Sequence, residues 1–188
     1  MQFSYAMLVI HPKDKTTAML RALYEGCEAR VVDTATSSKE IGRLLHHTSI
    51  SERIMLLGHG CANGLFYRLD DDSQLFDGII VGHPHAFHLR RHGSNIVAIW
   101  CNADEFGRKE GLHGLFSGMI ISEMSEAELY GIATTKEELD RENEKLANRL
   151  RDLLNEGTPL SEIPQRIRAL NDTHTPLTDF NYNNFHYL

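Results

Sequence analysis

Cysteine is scarce in this chain: Cys27, Cys61 and Cys101 are the only three in 188 residues, and no two of them form a Cys-x-x-Cys pair. That fits a reducing compartment and leaves each thiol free unless a partner turns up. A basic surplus is also missing. Lys and Arg number 19 against 26 Asp and Glu, a formal net charge of -7, so the phosphate neutralisation that general nucleic-acid binding requires is absent. No apolar run approaches the roughly 18 residues of a membrane span. The N-terminal stretch MQFSYAMLVIHPKDK lacks the basic segment and small-residue cleavage site of a signal peptide. A cytoplasmic protein that engages neither nucleic acid nor membrane is therefore expected. Three reaction classes lose their usual signatures as well, because the chain contains no GxSxG, no GxxxxGK[ST] and no GxGxxG. No internal repeat and no low-complexity linker interrupt it.

What remains is the composition of an ordinary soluble globule, 41% hydrophobic and 24% charged. Short apolar runs alternate with helical patterns. Phe3 to His11, stopped by Pro12, reads as a first buried strand. Asp14 then caps a helix whose stripe is Ala18, Met19, Ala22 and Leu23. Ala29 to Val32 reads as a second strand, and Ser37 or Ser38 caps a helix with Ile41, Leu44 and Leu45 as its buried stripe. Arg53 to Leu57 follows as the third strand. Gly64 to Arg68 and Gly78 to Val81 read as a small hairpin around the acidic turn Asp70-Asp71-Asp72. Pro84 to His92 reads as a short helix, Ile96 to Trp100 as the fourth main strand, and Gly118 to Ser122 as the fifth. Strand and helix alternation with uninterrupted apolar strands predicts α/β architecture with a mainly parallel sheet. Beyond Gly131 a long polar helix carries Leu139, Leu146, Leu150 and Leu153, followed by a helix over Ser161 to Leu170 and an aromatic tail. The expected organisation is one domain, with a core over residues 1–132 and a helical extension and tail over 133–188 packed on it.

Two strand ends carry chemistry. The run Arg53 to Leu57 closes on Gly58-His59-Gly60, and the run ending at Trp100 closes on Cys101. Ligands of open α/β sheets bind at the C-terminal edge of the strands, so an imidazole and a thiol delivered there suggest a Cys/His dyad. Glycine after the histidine lets a substrate carbonyl approach the main-chain amide. Taken singly, a cysteine at a strand end is more often buried packing, and a histidine after Leu-Gly a turn residue.

The segments IMLLGHG and IVAIWC, together with the strand order, resemble the caspase-like cysteine peptidases, the superfamily of caspases, legumain, gingipains, separase and CHAT-type domains. The resemblance covers about the first 130 residues. It implies a three-layer α/β/α sandwich with C-terminal helices added, Cys101 as nucleophile, His59 as general acid and base, and Gly60 as oxyanion donor. The activity implied is peptide-bond hydrolysis through a thioester, on a peptide or protein substrate, with a protein activator as a further partner and no cofactor. Ile99 and Trp100 stand where caspases carry the polar residue of the substrate pocket, whereas Asn102-Ala103-Asp104 is similar to the CHAT-type pattern. Trp100, Asn102, Asp104, Ser122 and Glu123 are the candidate pocket residues. The alternative is a catalytically inactive caspase-like module that binds another protein.

His83, His85, His88 and His92 form an HxHxxHxxxH cluster, of which His88 and His92 would share a helix face. Such a pair can hold zinc or nickel, but neither a nearby thiol nor the glutamate of an HExxH motif completes a catalytic site, so no metal centre is expected. The acidic turn reads as a solvated hairpin tip, and Cys61 as packing or a second thiol near the dyad.

Overall fold

The structure is a computed structural model that describes residues 7–188. In chain order it comprises β1 (Met7–Ile10), a 3-10 helix (Lys15–Leu23), β2 (Ala29–Val32), α1 (Ser38–His47), β3 (Arg53–Leu57), β4 (Gly60–Cys61), β5 (Gly64–Tyr67) and β6 (Gly78–Gly82). Then come short helical turns around α2 (Ala86–Leu89), β7 (Ile96–Ile99), α3 (Ala103–Glu110), β8 (Gly114–Ser117), α4 (Met124–Leu129), α5 (Lys136–Asn155), α6 (Ile163–Ala169), α7 (Pro176–Tyr182) and β9 (Phe185–Tyr187). Residues 3–6 of the expected first strand lie outside the described residues. Among the described residues no helix is long and apolar enough to cross a membrane.

The chain is α/β, built on a six-stranded sheet in the order β2-β1-β3-β7-β8-β9. Every pairing is parallel except β8 with β9. Apolar side chains on both faces of a strand need two cores, and the strands supply two. Leu8, Ile10, Ile54, Leu56, Ile96 and Ala98 join Ile41 and Leu45 of α1 and Phe106 of α3 in one cluster. Their alternate neighbours Val9, Met55, Leu57, Val97 and Ile99 join Leu20 and Leu23, with Leu146 and Leu150 of α5 and Ile163 and Ile167 of α6, in another. At roughly 1.5–3 kcal/mol for each fully buried large aliphatic side chain, these two clusters are the principal stabilising term.

Two sequence expectations are corrected. The fifth strand is β8, four residues earlier than Gly118 to Ser122. Gly114 permits it, since a Cβ there would stand 2.3 Å from the Ile96 carbonyl oxygen. Ile120 and Ile121 are buried without being strand, because the Ile121 amide donates to Asn181 Oδ1 (2.8 Å) and its carbonyl accepts from Asn143 and Asn181. Side-chain amides of α5 and α7 thus take the place of ladder partners. The first helix is 3-10 throughout. Its buried residues Thr17, Leu20 and Leu23 recur every third position, as that geometry requires, and Ala18, Met19 and Ala22 turn to a cleft instead. The aromatic tail, to which the sequence assigned no element, carries two: Pro176 and the Thr175 cap start α7, and Phe185 to Tyr187 extend the sheet as its antiparallel edge.

The second sheet, β4-β5-β6, is antiparallel and contains the expected hairpin. Its connection returns to the main body. The Lys15 ammonium pairs with Asp72, and the Lys15 amide donates to Asp71 Oδ1 at 3.0 Å.

Candidate active site at the sheet edge

Register brings the two expected residues to one place. Leu57 of β3 lies opposite Ile99 of β7, and the Gly58 amide donates to the Ile99 carbonyl at 3.0 Å. His59 and Cys101 each follow two residues beyond that pair, at the carboxyl edge of neighbouring parallel strands.

The imidazole of His59 is buried and well supported. Its Nε2 lies 2.6 Å from Thr16 Oγ1, and the same hydroxyl lies 2.6 Å from Asp14 Oδ1. Asp14 is also the cap of the 3-10 helix, accepting from the Thr16 amide at 2.9 Å. Burial works to raise the Asp14 carboxyl. His59 and the hydrogen bonds from Thr16 overcome it and hold the group well below the usual carboxylate range. An ionised Asp14 can only accept, so the single hydroxyl proton of Thr16 goes to Asp14. The hydroxyl oxygen then accepts from His59, which places a proton on Nε2 and leaves Nδ1 as the basic nitrogen of the neutral ring. Arg68 neutralises the pair from beneath. Its Nε stands 2.7 Å from Asp14 Oδ2, but the N–H is not aligned on the oxygen, so the contact is ionic. Phe76 completes the wall, with its ring centre 5.4 Å from that of His59 and 4.3 Å from the Arg68 guanidinium.

The thiol of Cys101 meets different surroundings. Its Sγ donates to the Ile120 carbonyl at 3.7 Å and to Glu126 Oε1 at 3.8 Å. Burial, then the charge of Glu126, push its pKa up to about 12. Glu126 itself is fixed: its other oxygen accepts from the amides of Ser122 (2.7 Å) and Glu123 (3.0 Å) and from the Ser122 hydroxyl. The segment from Gly118 to Glu126 therefore presents a carbonyl and a carboxylate to the sulfur, and the Asn143 and Asn181 amides described above hold that segment.

A cleft of about 1040 Å³ opens beside His59, and Cys101 lies behind Glu126 and is not part of its lining. His59, Thr16, Arg68, Phe76, Ser122, Glu123 and Glu126 line it, facing residues of α5. Glu123 Oε1 is 3.8 Å from His59 Nε2, so two of the expected pocket residues, Ser122 and Glu123, stand at the site. Three others serve packing and turns. Trp100 is buried in the first core, with its indole N–H donating to the Cys61 carbonyl. Asn102 adopts the left-handed conformation (φ 65°) that turns β7 into α3. Asp104 pairs with Arg108 across one helical turn at 2.5 Å. Gly60 opens β4, and a Cβ there would lie 2.3 Å from Trp100 Cδ1 and 2.4 Å from the Gly64 carbonyl oxygen, so the indole already fixes glycine at this position.

The histidine cluster is dispersed over different partners. His83 pairs with Glu110 at 2.9 Å, His85 bonds Ser38 and the Gly82 amide, and His92 reaches the Leu45 carbonyl. Among the described residues no group of three or more His, Cys, Asp or Glu side chains is placed to hold a metal ion.

Sequence reasoning missed Thr16, Arg68, Phe76 and Glu126, and saw Asp14 as a helix cap alone. The cap was itself the available signal, since a carboxylate at the start of a helix after β1 stands at the same sheet edge as the dyad. Comparison of the chain with protein families, curated proteins and solved structures finds no match in any of the three.

Proposed function

We propose that the chain is a three-layer α/β/α protein of caspase-like type and a cysteine endopeptidase acting through His59 and Cys101. The observation that carries this reading is the register of β3 and β7, which delivers imidazole and thiol at equal offset on one sheet edge, the imidazole lining an open cleft. In this reading Cys101 swings from Ile120 and Glu126 toward the cleft, and its proton passes to Nδ1 of His59. The sulfur adds to the peptide carbonyl carbon while the Gly60 amide faces the oxyanion. His59 then returns the proton to the departing nitrogen as the C–N bond breaks, and water splits the thioester to regenerate the thiol. The arrangement described is the resting state, and a peptide substrate or a protein activator in the cleft releases the thiol. On a diverse peptide pool, wild type is expected to cleave, and Cys101→Ala and His59→Ala to be inert. Equal product from wild type and Cys101→Ala would remove the proposal.

One observation favours a second reading, a catalytically inactive module that binds another protein in the same cleft. The thiol is protonated and engaged with a carboxylate, the reverse of what a nucleophile needs. Glu126→Gln separates the two. A peptidase gains cleavage with its freed thiol, whereas a binding module gains thiol reactivity and no cleavage.

A further inference from the structure

On a chain of net charge -7, a second concavity of about 430 Å³ is walled by Lys39, Arg43, His46, His85 and His88, around Gly42. It shares no lining residue with the cleft, and no carboxylate of the described residues lines it. The nearest acid that engages it is Glu40, which pairs with Arg43 at 2.8 Å from the outer side of α1. A further cation stands behind, because Arg91 Nη1 lies 3.3 Å from His46 Nδ1. The His46 and His88 ring centres are 5.7 Å apart, and Nδ1 of His88 is buried without a hydrogen-bond partner. Burial, then the neighbouring His46 and Arg91, hold the His88 pKa down, as expected where cationic groups gather around a ring.

Gly42 adds an independent observation. It is the fifth residue of a ten-residue helix, an unfavourable place for glycine. The fold does not demand it: a Cβ there would meet only ordinary contacts, 3.6 Å to His88 Nε2 and 3.8 Å to Cδ2. What a side chain would take away is the space on the pocket floor between Arg43, His46 and His88.

We propose that this pocket binds a phosphate group, with Lys39 and Arg43 supplying fixed positive charge, His46 and His88 supplying N–H donors, and Gly42 leaving room for the anion. Guanidinium and imidazole N–H groups are the usual donors to phosphate oxygens. The ligand is either the free anion or a phosphorylated side chain of a partner, and the two share this chemistry.

The test is a titration of the full chain, at constant ionic strength and mildly acidic pH, with inorganic phosphate and separately with a phosphoserine peptide and its unphosphorylated form. Saturable binding is expected, with imidazole resonance shifts confined to His46, His85 and His88. Gly42→Ala is expected to weaken binding at least about tenfold without lowering the melting temperature, since alanine suits the helix better. The Lys39→Gln, Arg43→Gln double variant should weaken it by a similar factor. A phosphoserine peptide that binds more than about tenfold tighter than phosphate identifies a phosphorylated segment, and comparable affinities identify the free anion. No saturable phosphate or phosphopeptide binding, or binding unchanged in Gly42→Ala and in the double variant, overturns the site. Cleavage by the Cys101 cleft plays no part in any of these readouts.

Discussion

His59 and Cys101 leave adjacent strands at the same register, yet they are received in opposite ways. The imidazole meets an ionised Asp14, a hydroxyl that relays to it and a buried guanidinium that balances the charge. The thiol is buried beside a carbonyl and a carboxylate, and burial and the carboxylate keep its proton on sulfur. Backbone pairing decides which side chains come together, and the groups around them decide in which protonation state. In this molecule the imidazole is supported by its neighbours and the thiol is kept protonated by its own.

The largest effect expected from breaking this contrast lies on the imidazole side. Asp14 and Arg68 have side-chain exposures of 7% and 9%, so Asp14→Ala strands a buried cation and also removes a helix cap. Losing one partner of a buried pair costs about 3–5 kcal/mol, which urea unfolding would measure. The double variant Asp14→Ala, Arg68→Met should recover part of that loss. If Asp14→Ala is as stable as wild type, Arg68 has another partner and the description of this side is wrong.

On the thiol side, a pKa of about 12 sets the chemistry. Lowering the thiolate fraction while raising its intrinsic nucleophilicity leaves Cys101 about 100-fold less reactive at neutral pH than an unhindered cysteine. Iodoacetamide labelling followed by peptide mapping should therefore find Cys27 and Cys61 ahead of Cys101 in the free protein. The sign follows from the raised pKa: the Cys101 rate keeps climbing with pH through the range in which an ordinary thiol, near 8.5, has levelled off. A plateau below about pH 9 would show that neither burial nor Glu126 raises the pKa of the sulfur. Glu126→Gln removes the charge but keeps the shape, and is expected to speed labelling about threefold for each pKa unit it removes, since the gain in thiolate is partly offset by lower nucleophilicity. Equal rates in the two proteins would assign the raised pKa to burial alone.

How much of this was legible in the sequence follows from what each feature depends on. The parallel strands β2, β3 and β7, the described part of β1, and the caps Asp14 and Ser37, the latter one of two residues expected, rest on local patterns and stand where those patterns put them. Residues 119–121, Met-Ile-Ile, read as strand because they are apolar, and only the distant Asn143 and Asn181 reveal where their backbone groups go. The 3-10 helix defeats a 3.6-residue period, so its buried stripe was shifted by one position and the cleft wall at Ala18, Met19 and Ala22 went unseen. At the site, His59 and Cys101 declare themselves by following apolar strands. Thr16, Arg68 and Glu126 belong to three other segments and have no spacing that could link them to the dyad.

The finest discrimination falls on Thr16, where the two sides of the site could still become alike. Its hydroxyl holds one proton and stands 2.6 Å from both Asp14 Oδ1 and His59 Nε2. With Asp14 ionised, the proton belongs to the Thr16–Asp14 bond, and His59 must donate from Nε2. At about pH 8.5, where an ordinary imidazole is neutral, nitrogen-15 shifts should report a protonated Nε2 and a bare Nδ1. Thr16→Val keeps the volume and removes the relay, leaving Asp14 and Glu123 at 3.7 and 3.8 Å as the remaining acceptors near Nε2. The variant should lose about 1–3 kcal/mol of stability, the worth of the two hydrogen bonds the hydroxyl makes, and its ring should divide between tautomers. An Nδ1-protonated ring in the wild type would reverse the assignment and make Nε2 the basic atom. Thr16 would then donate to the imidazole, and the Thr16–Asp14 bond would have lost its proton.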